Sequence, residues 1–415
     1  MISFHQCETM NYNTFTLPNG LRLIHSSVDS PVAYCGFFIA TGSRDEKDSE
    51  HGMAHFLEHV LFKGTNKRKP IHILNSVENV GGELDAYTTK EKTVIYSVFL
   101  SKYYDKVMDV LTDIAFNSIF PEKELEKEKD VIVDEINSYK DSPAEQIFDD
   151  FEELIFREHT IGRNILGTPE SLKKFKQKNI FDFIDSNYRT DKIVFCSVGN
   201  ISFEKIKALF TKYVANVKPN FKENIRIPFS NYIPEKKIVY IDSYQAHCVI
   251  GNLAYNLQDE KRTDLALLNN LLGGPNMNSR LNMLLREKHG FAYNVDSNYT
   301  AYSDTGVFTI YFGSDKENIE KINSLIFKEL QNLRTKKLGS LQLHKAKKQL
   351  EGQIAISSES KATMMFTIGK SFLFYDKVDD LKTLYTRINQ ISSENLLEVA
   401  NEIFERDKLS ILIYK

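Results

Sequence analysis

Cysteine is scarce: Cys7, Cys35, Cys196 and Cys248 are the only four in 415 residues, and none forms a CxxC pair. A disulfide scaffold is therefore not expected. Cys35, Cys196 and Cys248 sit in the apolar, strand-like runs VAYCGFFIA, IVFCSVGNI and HCVIGNL, so they are expected as buried, reduced thiols of a cytoplasmic protein. No apolar run approaches the length of a membrane span. The opening MISFHQCETMNYNTF lacks a basic stretch followed by an apolar one, so no signal peptide is expected. A dominant charge is missing too. The formal net charge is -3 without a long block of one sign, which disfavours nucleic acid or an acidic membrane surface as partner. What is present is ordinary for a globular protein, with 42% hydrophobic and 26% charged residues. The length exceeds what one core usually serves, so two domains are expected.

The order of elements repeats. NTFTLPNGLRLIHSS alternates apolar and polar residues around Asn19-Gly20, which predicts strand, turn and strand. A buried strand follows in VAYCGFFIATGS. Helical patterning covers 51–62, and HILNSVENVGG predicts a helix stopping at Gly81-Gly82. ELDAYTTKEKTVIYSVFL reads as strand, helices follow at 103–116 and 122–140, and DKIVFCSVGNI closes the half as a strand. Residues 216–235 hold three prolines and little periodicity, which predicts a linker. Beyond it come strands in KKIVYIDS and AHCVIGNLAY, helices at 262–272 and 277–288, the strand GVFTIYFGS, helices at 316–334 and 339–357, and a final strand LSILIY. The expectation is an α+β protein of two similar domains, each a mainly antiparallel sheet packed with helices: 1–215, the linker 216–235, and 236–415. LEKEKDVIVDEI (125–136) can be laid over LHKAKKQLEGQI (343–354), which sets Glu128 against Ala346 and Glu135 against Gln353. Duplication with chemistry kept in one copy accounts for that difference.

HGMAHFLEHVLFKGT, residues 51–65, places His55, Glu58 and His59 in one short apolar segment. On a helix, positions i, i+3 and i+4 share a face. Two neutral imidazoles one turn apart form a two-point claw for a cation such as zinc, and the carboxylate beside them can accept a proton from metal-bound water. A lone histidine among apolar residues is more often a satisfied core residue, but the ordered pattern HxxEH is much less common. Catalytic zinc needs a third protein ligand. In EKELEKEKDVIVDEINSY, residues Leu125, Glu128, Val131, Ile132, Glu135 and Ile136 recur at helical spacing, which puts two glutamates on the face to be buried. A buried carboxylate must pair with a cation or bind a metal, and the residues alone leave both open.

Taken together, these residues resemble the insulinase/pitrilysin family of zinc peptidases, whose signature is HxxEH. The resemblance implies that His55, His59 and Glu135, which lies 76 residues beyond His59, hold one zinc ion per chain, with Glu128 supporting them from the outer shell. GSRDEKDSEHGMAHFLEHVLFKGT matches the extended motif. GGELDAYTTKEKTVIY matches the family's substrate strand, which implies that Gly82, Glu83, Leu84, Asp85, Ala86 and Tyr87 bind peptide; Asp85 stands where the family usually has asparagine. NSRLNMLLREKHGFAYNV resembles the Arg-plus-Tyr motif and gives Arg286 and Tyr293 the role of stabilising the oxyanion. Viewed alone, Arg286 reads as a surface or salt-bridge arginine and Tyr293 as a core aromatic.

The likeness spans about 14–415 and corresponds to the half-size branch, which includes mitochondrial processing peptidase and bacterial homologues. It implies a processing-peptidase-like fold and a zinc endopeptidase. Peptides would bind as an extended edge strand inside a clam-shell chamber, with Glu58 as the base. The chain carries both the zinc and the Arg/Tyr motifs, so a homodimer with two composite sites is the expected assembly. The alternatives are a non-catalytic assembly subunit and a peptide-binding module whose zinc is structural.

Overall fold

The computed structural model describes residues 12–415, so Cys7 lies outside the described residues. The first six strands are β1 (Asn13–Thr16), β2 (Arg22–Ser27), β3 (Val32–Ile39), β4 (Glu83–Thr88), β5 (Thr93–Leu100) and β6 (Ile193–Gly199). They form one sheet in the order β1-β2-β6-β3-β5-β4, antiparallel except for the β2–β6 pair. Gly20 sits at φ +93 in the β1–β2 turn, a conformation that costs glycine little because it has no Cβ. The second sheet comprises β7 (Lys236–Val239), β8 (Ala246–Ala254), β9 (Ala292–Ala301), β10 (Gly306–Ser314) and β11 (Ser410–Tyr414). Its order is β7-β11-β8-β10-β9, again antiparallel except for one pair, β7–β11. From β2 onward the first sheet and the whole second sheet thus share one topology.

Each sheet is covered on both faces. Successive strand residues point to opposite sides, so Phe37 and Phe38 of β3 serve different cores. Phe37, Ile95 and Phe195 pack under α1 (Met53–Val60), α2 (Pro70–Glu78) and α3 (Tyr104–Asn117), where Phe56, Leu57, Val77 and Leu111 are buried. On the other face Ile24, Phe38, Val94 and Val194 meet Met365, Ile368 and Phe372 of the helix Lys361–Tyr375. Double coverage explains why β6 is buried along its whole length and reads as one apolar run. The free Cys35, Cys196 and Cys248 are buried in these strands.

The chain divides into two compact units by contact, and these differ from the sequential cut at 216–235. The first takes residues 163–226 and 356–382 along with the N-terminal stretch to Ile136; the second takes 137–162, 227–355 and 383–415. The difference arises from two exchanged helices. After α4 (Glu122–Lys140) comes α5 (Pro143–Ile155), whose Ile147, Phe151 and Ile155 pack with Val249, Tyr311 and Leu412 of the second sheet. Lys361–Tyr375, from the second half, covers the first sheet. No helix or strand lies between Val214 and Lys236. Within this stretch Arg226 donates from Nε and a terminal nitrogen to the Asp45 carboxylate, both at 2.8 Å.

Close approach of Lys361–Tyr375 depends on Gly369. A Cβ there would lie 2.4 Å from Cζ of the fully buried Phe38 ring. Gly369→Ala is therefore expected to destabilise the fold by about 1–3 kcal/mol through overpacking. A denaturant titration reads this as a lower midpoint, and an unchanged midpoint would contradict the packing.

Three regions differ from the sequence reading. Strand β9 was not expected, because its alternation is carried by Asn294, Asp296 and Asn298, poor strand formers that here point outward. The helices Lys361–Tyr375, Leu381–Gln390 and Ser393–Ile403 follow the last predicted helix. The first of these, KATMMFTIGKSFLFY, is apolar on several sides and lacks the single stripe that betrays an amphipathic helix. In α4, Val131 is exposed. At 100° per residue it lies about 120° round the helix from Leu125, beyond the flank that Glu128 and Glu135 occupy. Among the described residues, no helix is long and apolar enough to cross a membrane.

Candidate metal centre

The first unit brings α1 and α4 together. Helix α1 begins at a left-handed Gly52, with φ +91, packed so tightly on Gly167 that a Cβ would lie 2.7 Å from its Cα. Two amides at its start are satisfied by Glu46, whose carboxyl group accepts from Gly52 N–H at 2.9 Å and Ala54 N–H at 2.8 Å. Burial pushes the Glu46 carboxyl well up, and the two amides act against that shift. Glu46 was not anticipated; one glutamate in RDEKDSEHGM carries no local sign that it caps the next helix.

His55 and His59 stand side by side on α1, with ring centroids 4.7 Å apart. Both turn Nε2 toward Glu135 of α4: His55 Nε2 lies 3.7 Å and His59 Nε2 3.4 Å from Glu135 Oε2. Burial and the neighbouring His59 push His55 down to about 3, so it is neutral at ordinary pH and its approach to Glu135 is not an ion pair. The separations are instead those of donors around a cation. Tetrahedral zinc with bonds of about 2.0–2.1 Å has ligand atoms about 3.3–3.4 Å apart. His55, His59 and Glu135 are also the group of side chains whose ligand atoms converge among the described residues. His55 Nδ1 is buried without a hydrogen-bond partner. Two imidazoles and one carboxylate are the donor types catalytic zinc takes, so these residues fit the ion.

Glu128 bridges outward. The Nδ1–H of His59 donates to Glu128 Oε2 at 3.3 Å, and Lys63 Nζ lies 2.6 Å from Glu128 Oε1. A carboxylate on the far nitrogen fixes the tautomer and leaves Nε2 as a lone-pair donor toward Glu135. Lys63 was missed by sequence reading. It lies in the turn three residues past the end of α1 at Val60, where no helical spacing marks it.

Glu58 lies beside this group, close to Thr88, whose polar groups favour its charged form. Burial, with smaller contributions from Asp85 and Glu135, pushes its carboxyl up to about 7. A group poised there can hold or release a proton near neutral pH. Thr88 ends β4, the outermost strand on its side of the first sheet, so residues Glu83–Thr88 form a sheet edge beside α1. Gly82 precedes that strand and packs on Val77 and Phe99. Glu83 and Asp85 are exposed, Leu84 and Tyr87 half-buried, and Ala86 buried.

Arg286 and Tyr293 belong to the second unit. Arg286 lies in the helix Asn282–Lys288, which has the wider π-type turn, and its nearest acidic group is Glu287 at 4.0 Å. Tyr293 is on β9 and 73% exposed, so it is not the core aromatic that its sequence alone suggests. In the second unit, Ser340–Ser358 matches α4 in its nineteen-residue length, with Ala346 and Gln353 where α4 has Glu128 and Glu135. The acidic donors are kept in one copy.

Two like α+β sheets, with a two-histidine, one-carboxylate group in the first unit whose ligand atoms could hold a metal ion, define the class. Known proteins agree. The insulinase (peptidase family M16) pattern matches residues 23–169, and the peptidase M16 inactive domain matches residues 174–350. The uncharacterized zinc protease YmxG of Bacillus subtilis is 33% identical over 404 residues, covering 96% of this chain and 97% of the relative. A probable mitochondrial-processing peptidase subunit beta of Arabidopsis thaliana is 27% identical over 405 residues, covering 94% and 76%. A protease from Helicobacter pylori has the same fold, with TM-score 0.91, 21% identity, and coverage of 98% and 99%. This chain belongs to the insulinase family, peptidase family M16, in its half-size form.

Proposed function

We propose that this protein is a zinc-dependent endopeptidase. The convergence of His55 Nε2, His59 Nε2 and Glu135 Oε2 carries the reading. Zinc, when bound, would polarise the peptide carbonyl and acidify water. The chain supplies the rest. His55, His59 and Glu135 hold the ion, and Glu128 with Lys63 holds His59. Glu58 takes a proton from the water whose oxygen bonds to the scissile carbonyl carbon. As the C–N bond breaks, Glu58 gives that proton to the leaving amine. The peptide lies extended along the free edge of β4 as an added strand, bound mostly through backbone groups. Arg286 and Tyr293 supply a cation and a phenolic donor to the developing oxyanion.

The assembly belongs to the same proposal: a homodimer enclosing peptide in a clam-shell chamber. Each site takes its metal group from one subunit and Arg286 and Tyr293 from the other. Glu58→Gln and Arg286→Ala chains, each inactive alone, test this directly. Mixed in equal amounts, half of the dimers are hybrids with one intact centre, so about a quarter of normal peptide hydrolysis should return. No recovery after confirmed subunit exchange would overturn the shared site. Hydrolysis that persists in a chelator would overturn the zinc reading.

A further inference from the structure

The turn between β4 and β5 determines which β4 backbone groups face outward. Thr89 N–H donates to the Lys92 carbonyl at 2.8 Å, which closes the turn. In an antiparallel ladder hydrogen-bonded pairs alternate, so Tyr87, Asp85 and Glu83 exchange bonds with Val94, Tyr96 and Val98. The amides of Leu84, Ala86 and Thr88 then point away from β5, toward the side where another strand would add. The backbone of Thr88 lies beside Glu58 and favours its charged form. Ala86 N–H is engaged: it donates to Oδ1 of its own neighbour Asp85 at 2.8 Å. The other Asp85 oxygen accepts from the Tyr96 hydroxyl at 3.1 Å. Asp85 is exposed, and among the described residues no lysine or arginine pairs with it.

We propose that Asp85 sets substrate choice in two ways: it competes with an incoming peptide strand for the Ala86 amide, and it favours peptides that present a lysine or arginine side chain beside it. This rests on the peptide-cleaving reading above. A strand that pairs with β4 needs the Ala86 N–H as donor. Asp85 must release it, leaving a carboxylate oxygen without its partner next to an arriving chain. An ammonium or guanidinium group compensates that oxygen through a charge-assisted hydrogen bond, whereas a carboxamide does so less and a carboxylate is repelled. Asparagine at the same position could keep the contact to Ala86 through its carbonyl, but without the charge. Asp85 is thus a specificity-determining residue.

The test uses full-length, zinc-loaded protein and a set of fluorescent peptides identical except for Lys, Gln or Glu placed at each position in turn. Binding is measured by anisotropy in a Glu58→Gln background, and cleavage in chains that keep Glu58. Chains with Asp85 should prefer Lys to Gln about fivefold at one peptide position. That preference should fall to about one in both Asp85→Asn and Asp85→Ala. Ala should also bind the Gln peptide more tightly than Asn does, because only Asn still occupies the Ala86 amide. Asn is isosteric, so the charge comparison survives even if the Ala variant folds poorly. Persistence of the Lys preference in the Asn variant would overturn the assignment. Cleavage without any Lys preference in the Asp85 chain would overturn it too and leave the peptidase reading standing. Lys-selective binding without hydrolysis would sink the peptidase reading and support Asp85. Failure to bind any peptide would sink both.

Discussion

Replacing Glu58 with glutamine should lower peptide hydrolysis by about 10²–10⁴-fold while zinc content and fold are retained. The carboxamide has nearly the same shape and can still sit beside Thr88 as Glu58 does in the structure. It cannot take a proton from water near neutral pH. Glu58 also lies outside the converging group of His55, His59 and Glu135, so the substitution removes no ligand. The expected result is a chain with one equivalent of zinc by mass spectrometry, an unchanged denaturation midpoint, and almost no turnover of a fluorogenic peptide. Turnover like that of the natural chain would remove Glu58 from the role of base.

His59→Ala should abolish stoichiometric zinc. His59 works from both ring nitrogens: Nε2 faces Glu135 at 3.4 Å, and Nδ1 is held by Glu128 at 3.3 Å. Its removal leaves two donors where catalytic zinc takes three. It also frees Glu128 to pair with Lys63 alone. The loss of affinity should exceed the roughly 10–100-fold expected when only an outer partner is changed, as in Glu128→Gln. Ligand-linked stabilisation gives a second readout, because zinc should raise the melting temperature of the natural chain and not that of His59→Ala. Equal zinc affinity in the two chains would exclude His59 as a ligand.

The site was legible in the sequence where it is local. His55, Glu58 and His59 are separated by helical steps, and helix geometry alone puts them on one face. Glu135 was not legible in this way. No local rule brings a residue 76 positions along the chain to a particular histidine, and the periodicity of α4 taken without the histidines favours an internal salt bridge over a metal. Only the family resemblance chose between them. Glu46 and Lys63 escaped notice because their importance comes from what tertiary packing sets beside them: a helix start for one, a carboxylate for the other.

The fold shows the same division. Hairpin β1–β2 announced itself through Asn19-Gly20, and β3 and β6 through unbroken apolar runs. Nothing in KATMMFTIGKSFLFY says which sheet it will cover. Its apolar surface suits either, and the choice rests on shape, with Gly369 seated against Phe38. Likewise α5 carries one apolar stripe, but that stripe does not tell that its partners are Val249 and Leu412, far along the chain. Chain order could not reveal such an exchange.

Anomalous diffraction at the zinc absorption edge from crystals of the natural chain is the most direct measurement. One strong peak per chain is expected, within bonding distance of His55, His59 and Glu135 together. A fully loaded crystal whose zinc peak lies elsewhere, or one that shows Glu135 turned away from both imidazoles, would contradict that placement.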